Sequence, residues 1–235
     1  MKLTDALAQF NRKERYWLIR NALGSKAETL DIDFRSRLGS LINVAIPDNA
    51  WWAMDYHLDW LVGALHLIDE RVDETQVQRN DHQLVKGNQE DLDLVIAFGE
   101  TLILIEAKGA ESWNNAQINS KINRLNDLRE YQEQNGSFVP NMFFVLTSPS
   151  ESTRLERNLE KDWPSWMKNN KADEPKPYWM SMDMTLGGAP VFDGKVEFKK
   201  VVRCIDDDGT VGREGGFWKI SPSNVSLGRG RIKSA

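Results

Sequence analysis

An α/β fold with a central mixed β-sheet flanked by helices is what this sequence predicts, and three observations predict it. Apolar residues recur at helical spacing in several long stretches. Short β-prone runs at 94–98 and 102–108 stand between them, too brief to be helices of their own. The middle of the chain then reads helix, strand, strand, strand, helix, strand, an order that builds layers rather than a bundle.

Taken in order, "LTDALAQFNRKERYWLIRNALG" has the spacing of one helix, with Thr4 or Asp5 as cap and Gly24 as stop. "ETLDIDFRSRLGSLINV" is mixed in pattern, and Pro47 ends whatever element it forms. Residues 50–70 predict a strong helix, because Met54, Leu58, Leu61, Val62, Leu65 and Ile68 fall on one stripe. A short strand at "TQVQRN" and the polar loop "DHQLVKGNQED" lead into the two apolar runs. "SWNNAQINSKINRLNDLREYQEQNG" predicts a second helix, with Ile118, Ile122, Leu125 and Leu128 in line and Gly136 closing it.

"NMFFVLTS" reads as a buried strand and "ESTRLERNLEKDW" as a helix halted by Pro164. "NNKADEPKP" is linker-like. Strands are expected at "YWMSMDM", "VEFKKVVRCI" and "FWKI", the last two joined through "DDDGTVGREGG". We expect a single domain over 1–235, its core at about 50–150, with a helical extension at 1–47 and a β-rich extension at 176–235.

Composition narrows the chemistry. The net charge of -5 gives no global pull on nucleic acid, so any such site must be a local basic patch. One cysteine, Cys204, excludes an internal disulfide, and three histidines make a poor zinc cage. No apolar run approaches a membrane span and no signal-peptide core is present, so no membrane partner and a cytoplasmic location are expected.

The stretch "DLVIAFGETLILIEAKG" carries the candidate site. Gly99 suits the first central position of a two-residue type II′ hairpin, which sets Phe98 opposite Thr101. Counting outward, Asp93 faces Glu106 and Asp91 faces Lys108. Carboxylates paired this way lie roughly 4.5–5.5 Å apart and destabilise a bare sheet. A cation between them removes the conflict. Two hard carboxylates suit Mg²⁺, which bridges to phosphates, and a lysine beside them can assist a water.

Asp93 with "LVIAF", followed by "LILIEAK" through Glu106 and Lys108, resembles the PD-(D/E)xK nuclease superfamily, which includes restriction endonucleases and archaeal Holliday-junction resolvases. The resemblance implies a restriction-endonuclease-like core: an acid-bearing helix, a three-stranded meander, a helix and a further strand. It implies Asp93, Glu106 and the Ala107 carbonyl as ligands of Mg²⁺, which Mn²⁺ can replace, and Lys108 as the catalytic lysine. It brings Asp55 or Asp59 toward the metal from the preceding helix and Gln117 near the site from the following one; of the two acids, Asp55 lies nearer the apolar stripe by helical angle and is slightly favoured.

Leu92 rather than proline precedes Asp93, which leaves Asp91 as a rival acid. Lys121 stands where a longer form of the Gln117 motif has tyrosine. Glu174, Asp193 and Glu197 also open acid-x-Lys tripeptides, but none follows an acid-led hairpin.

The bland alternatives are a strand end with Glu106 and Lys108 simply solvated or paired with each other, Asp55 and Asp59 as solvated flanks, and His57 as a packed or boundary residue. Trp51, Trp52 and Trp60 are expected mostly in the core. Arg229, Arg231 and Lys233 make a basic tail, either a phosphate-contacting arm or, as the plainer reading, a solubilising end. The expected function is Mg²⁺-dependent hydrolysis of DNA, with a homodimer left open. The rivals are a non-catalytic interaction module on the same fold, and a nuclease for RNA or branched structures.

Overall fold

The computed structural model describes residues 1–11, 13–69, 77–87, 90–109, 113, 115–151, 163–169, 175–183, 191–192, 195–212 and 216–226. Of these, residues 115–117, 191–192, 195–198, 200 and 223–226 are described by their backbone alone. The chain divides into two compact units. The first comprises Met1–Ala107, Trp113–Leu146 and Thr153–Met180, and the second Lys108–Ser112, Thr147–Ser152 and Ser181–Ala235.

The element order among the described residues is α1 (Leu3–Phe10), α2 (Glu14–Leu23), α3 (Ile32–Ile42), β1 (Trp51–His57), α4 (Leu58–Ile68), β2 (Asp91–Phe98), β3 (Thr101–Ala107), α5 (Asn115–Gln134), β4 (Asn141–Ser148), β5 (Lys168–Asn169), β6 (Lys176–Ser181), β7 (Val191–Phe192), β8 (Lys195–Cys204) and β9 (Phe217–Ser226). Strands β1-β2-β3-β4-β6-β5 form a six-stranded sheet in that spatial order, and β7-β8-β9 form a three-stranded one. The first three strands are antiparallel neighbours. β4 runs parallel to β3, since Asn141 N–H donates to Glu100 at one end and Lys108 N–H to Thr147 at the other. The large sheet is therefore mixed, as expected, and the fold is α/β.

Period-two alternation explains the layers. Val95, Ala97, Leu102 and Leu104 pack with Leu3 and Leu7 of α1, Leu61 and Leu65 of α4, and Ile122 and Leu125 of α5. Ile96, Ile103 and Ile105 face the other way, onto Leu38 and Ile42 of α3. α3 starts at Asp31, whose carboxylate accepts from the N–H groups of Asp33 and Phe34, and ends at a left-handed Asn43. A Cβ on Gly63 of α4 would lie 2.9 Å from the Phe10 ring, so glycine there is what lets α1 approach.

Three expectations need correction. The N-terminal helix is two helices, broken at Asn11, whose buried side chain and extended backbone end α1; Gly24 does stop α2. The single helix over 50–70 is a strand followed by a helix. Trp51, Trp52 and Tyr56 are bulky and suit a pleated surface, and β2 pairs with them; the genuine stripe starts only at Leu58. The strand at "TQVQRN" is absent over 77–80, which is irregular, and its first two residues lie outside the described ones.

The helix expected at 152–162 also lies outside the described residues, as does most of the linker-like stretch; Lys176 and Pro177 belong to β6. No helix among the described residues is long and apolar enough to cross a membrane.

Candidate functional site

The β2–β3 hairpin has the register that Gly99 predicts. Phe98 pairs with Thr101, and Leu94 with Ile105. Gly99 carries φ +52 while Glu100 keeps a negative φ, the pattern of a type II′ turn. The pairing ends at Leu94–Ile105; continued one step, that register sets Asp93 opposite Glu106, on the face of Val95 and Leu104. Asp93 Oδ2 accepts from the N–H of Ala107, the residue after Glu106, at 2.6 Å.

The neighbouring strand adds a third acid. β1 pairs with β2 from Trp51–Ala97 to Met54–Leu94 and resumes at Tyr56–Leu92 and His57–Asp91. Asp55 and Asp93 stand at the step between. Asp55 has φ +51, a left-handed backbone that Asp and Asn tolerate better than other side chains. It is thus on a strand, not a helix, and not one turn from Asp59 on a shared face. Arg15 of α2 pairs with it at 3.1 Å. Burial pushes the Asp55 carboxyl above its ordinary range; Arg15 opposes this, Asp91 and Asp93 add to it, and Lys13 opposes it.

Asp91, the rival first acid, holds two partners. Lys13 Nζ lies 3.0 Å from Oδ2, and His57 Nδ1 lies 2.7 Å from Oδ1. His57 also sets its ring edge-on to Trp60, with centroids 4.3 Å apart, so it is a boundary histidine with a polar partner. The break between α1 and α2 is what delivers Lys13 and Arg15 to this end of the sheet.

Glu106 is only 7% exposed, and its Oε1 accepts from Lys121 Nζ at 2.6 Å; the same ammonium donates to the Asp91 carbonyl at 2.5 Å. The reading of Glu106 as merely solvated is therefore wrong. Lys121 lies on α5 beside Ile118 and Ile122, within the buried stripe. Sequence reasoning noted it only as the residue in place of a tyrosine. A lysine flanked by the core positions of an amphipathic helix was the available signal that it meets an acid.

Asp59 is engaged elsewhere. In the first turn of α4 it accepts from the N–H groups of Lys86 and Gly87 and from Arg124 of α5. Arg124, 3% exposed, also reaches Glu90 and the Leu84 carbonyl. Burial acts to raise the Asp59 carboxyl, but the Lys86 and Gly87 N–H groups and the Arg124 guanidinium outweigh it and hold it below its ordinary range. Asp59 pins the 84–87 loop to two helices and has no part in the Asp93–Glu106 pair.

Gln117 lies on α5 one turn before Lys121, and its side chain is outside the described ones. Lys108 follows Ala107 directly, half-buried, and forms no ion pair among the described residues. The basic tail lies outside the described residues.

Family models, curated proteins and solved structures contain no match to this chain.

Two carboxylates and a main-chain carbonyl are the hard oxygens Mg²⁺ accepts, and it needs only one or two carboxylates beside its waters. Asp93, Glu106 and Ala107 fit it in kind. They are not a larger cage: among the described residues no group of three or more His, Cys, Asp or Glu side chains is placed to hold a metal ion. The cation that the like-charge argument demanded is present in another form, as the Lys121 ammonium.

Proposed function

We propose that this protein is a metal-dependent phosphodiesterase of the PD-(D/E)xK type, acting on nucleic acid and, on the sequence resemblance, on DNA. The observation that supports the reading is the hairpin register, which, continued one step past Leu94–Ile105, pairs Asp93 with Glu106, with the Ala107 N–H bonded to Asp93 and Lys108 next along the chain. β1, β2 and β3 lie side by side in the sheet and α5 leads into a parallel β4, which supports the second half of the implied order; the helix that the resemblance puts before the meander instead follows β1, as α4.

Asp93, Glu106 and the Ala107 carbonyl would hold Mg²⁺ or Mn²⁺. Bound there, the ion supplies Lewis acidity toward a phosphate oxygen and lowers the pKa of a water. The chain's own groups do the rest. The Ala107 N–H fixes the Asp93 carboxylate through its Oδ2. Lys121 orients Glu106. Lys108 offsets the charge that grows on phosphorus during in-line attack. Asp55 and Asp91 shape the field beside the pair, and their basic partners Arg15 and Lys13 would add positive charge toward a phosphate.

One observation favours a second reading, a non-catalytic module. Arg15, Lys13 and Lys121 pair with Asp55, Asp91 and Glu106, and such a network also suits a sheet end that is only structural. Incubating the protein with circular, linear, single-stranded and branched DNA, and with RNA, in Mg²⁺, Mn²⁺ or EDTA separates the two. Cleavage that needs metal and disappears in Glu106→Gln supports the hydrolase. Intact substrate in every metal supports the module.

A further inference from the structure

The second compact unit carries a surface that the hydrolytic site does not use. β8 and β9 form a ten-pair antiparallel ladder from Lys195–Ser226 to Cys204–Phe217. Directly paired residues share a face, so Lys199 with Pro222, Val201 with Ile220, and Arg203 with Trp218 all stand on one side. That side is bare: Val201 is 69% exposed, Trp218 65% and Ile220 61%. Lys199 and Arg203 are exposed as well. An aromatic ring and two branched aliphatics in contiguous register make an exposed apolar patch, a feature that often marks an interaction surface.

The charges decide what covers it. Lys199 and Arg203, the charged residues that bracket the apolar patch, are both basic; by register Glu197, opposite Asn224, stands on the same face beyond Lys199. A second copy docking through the same face would set arginine and lysine against arginine and lysine about a two-fold axis, which disfavours self-association. A polyanion that also presents flat apolar surfaces satisfies both halves of the patch. Single-stranded nucleic acid does so, with phosphates for Lys199 and Arg203 and an unpaired base for the Trp218 indole; in a duplex the base faces are already stacked.

We infer that the Val201–Arg203/Trp218–Ile220 face binds single-stranded nucleic acid, with Trp218 stacking on a base and Lys199 and Arg203 contacting the backbone. The inference goes beyond the proposed hydrolysis and does not depend on it, because binding is measured without metal.

The test is fluorescence anisotropy of a labelled oligothymidylate with the full-length protein in EDTA. A duplex and polyglutamate serve as competitors. Trp218→Ala should weaken oligothymidylate binding on the order of tenfold, and Trp218→Phe should restore most of it, because a phenyl ring still stacks. Lys199→Ala with Arg203→Ala should lower the log–log salt slope by about 1.4, as expected for two contacts to a single strand. Oligothymidylate should compete better than duplex or polyglutamate.

Equal affinity of Trp218→Ala and the parent overturns the inference, as does better competition by polyglutamate. Sedimentation showing a parent dimer that Trp218→Ala dissociates would also overturn it, assigning the face to self-association. A parent that binds through Trp218 yet cleaves nothing in any metal would sink the hydrolase reading and leave this face standing.

Discussion

Lys121 Nζ stands 2.6 Å from Glu106 Oε1, and both side chains are buried. The contact resolves the conflict that two facing acids create at the ends of β2 and β3. Taking one partner from a buried ion pair leaves an uncompensated charge, which costs about 3–5 kcal/mol. Lys121→Met should therefore melt well below the parent in EDTA. Excess Mg²⁺ should raise the Tm of the variant more than that of the parent, because the ammonium no longer occupies Glu106. Melting curves of both proteins in EDTA and in Mg²⁺ measure this, and superimposable curves in EDTA would deny the pair a structural role.

Asp59 gives a pH prediction with a definite sign. Its carboxyl is held below the ordinary range in the folded chain. Its contribution is then present above the unfolded-state value, near pH 3.9, and is lost as pH falls through the lower folded value. Asp59→Asn should be less stable than the parent at neutral pH, and the gap should narrow steadily below about pH 4. Denaturant midpoints taken across the acid range show whether it does. A gap independent of pH would mean that the hydrogen bonds, and not the charge, hold the 84–87 loop.

Much of this arrangement is legible in the sequence because its determinants are local. Gly99 announces a II′ turn, and the turn alone sets the register that brings Asp93 to Glu106. Ile118, Ile122 and Leu125 announce α5 and the face it buries. The failures have non-local causes. Met54 fits a helical stripe, yet Trp51–His57 is a strand because β2, some forty residues later in the chain, pairs with it. The left-handed backbone of Asp55 leaves no mark in sequence spacing. Lys13 and Arg15 reach the acids only because a helix breaks at Asn11. Lys121 was the recoverable miss, a cation on a buried stripe with acids as the only plausible company.

Asp55 combines a left-handed backbone with an unfavourable field, and two substitutions separate these. Its folded carboxyl is raised, so ionisation is penalised in the native state. The penalty is present above the folded pKa and is relieved as pH falls below it. Asp55→Asn removes the charge and keeps a side chain that tolerates positive φ. At neutral pH it should be at least as stable as the parent, since the lost partner, Arg15, is 60% exposed and contributes little. Asp55→Ala should fall below Asp55→Asn by about 1 kcal/mol, the strain of a Cβ without a compensating polar group. Equal stability of the two variants would remove strain from the account.

Lys108 tests the chemistry most directly, because it is near the acid pair in sequence and lacks an ion-pair partner among the described residues. A lysine serving only the fold at this position would be expected to hold an acid, as Lys121 does. Lys108→Ala should then leave the melting temperature almost unchanged and lower the cleavage rate on the order of a hundredfold, as for loss of one electrostatic stabiliser of a transition state. Lys108→Arg keeps the charge but not the compact ammonium, and should recover only part of the rate. Single-turnover cleavage in Mg²⁺, with saturating protein, isolates this step from binding. A full rate in Lys108→Ala would take the residue out of the mechanism. A large fall in melting temperature with the same substitution would instead make it structural.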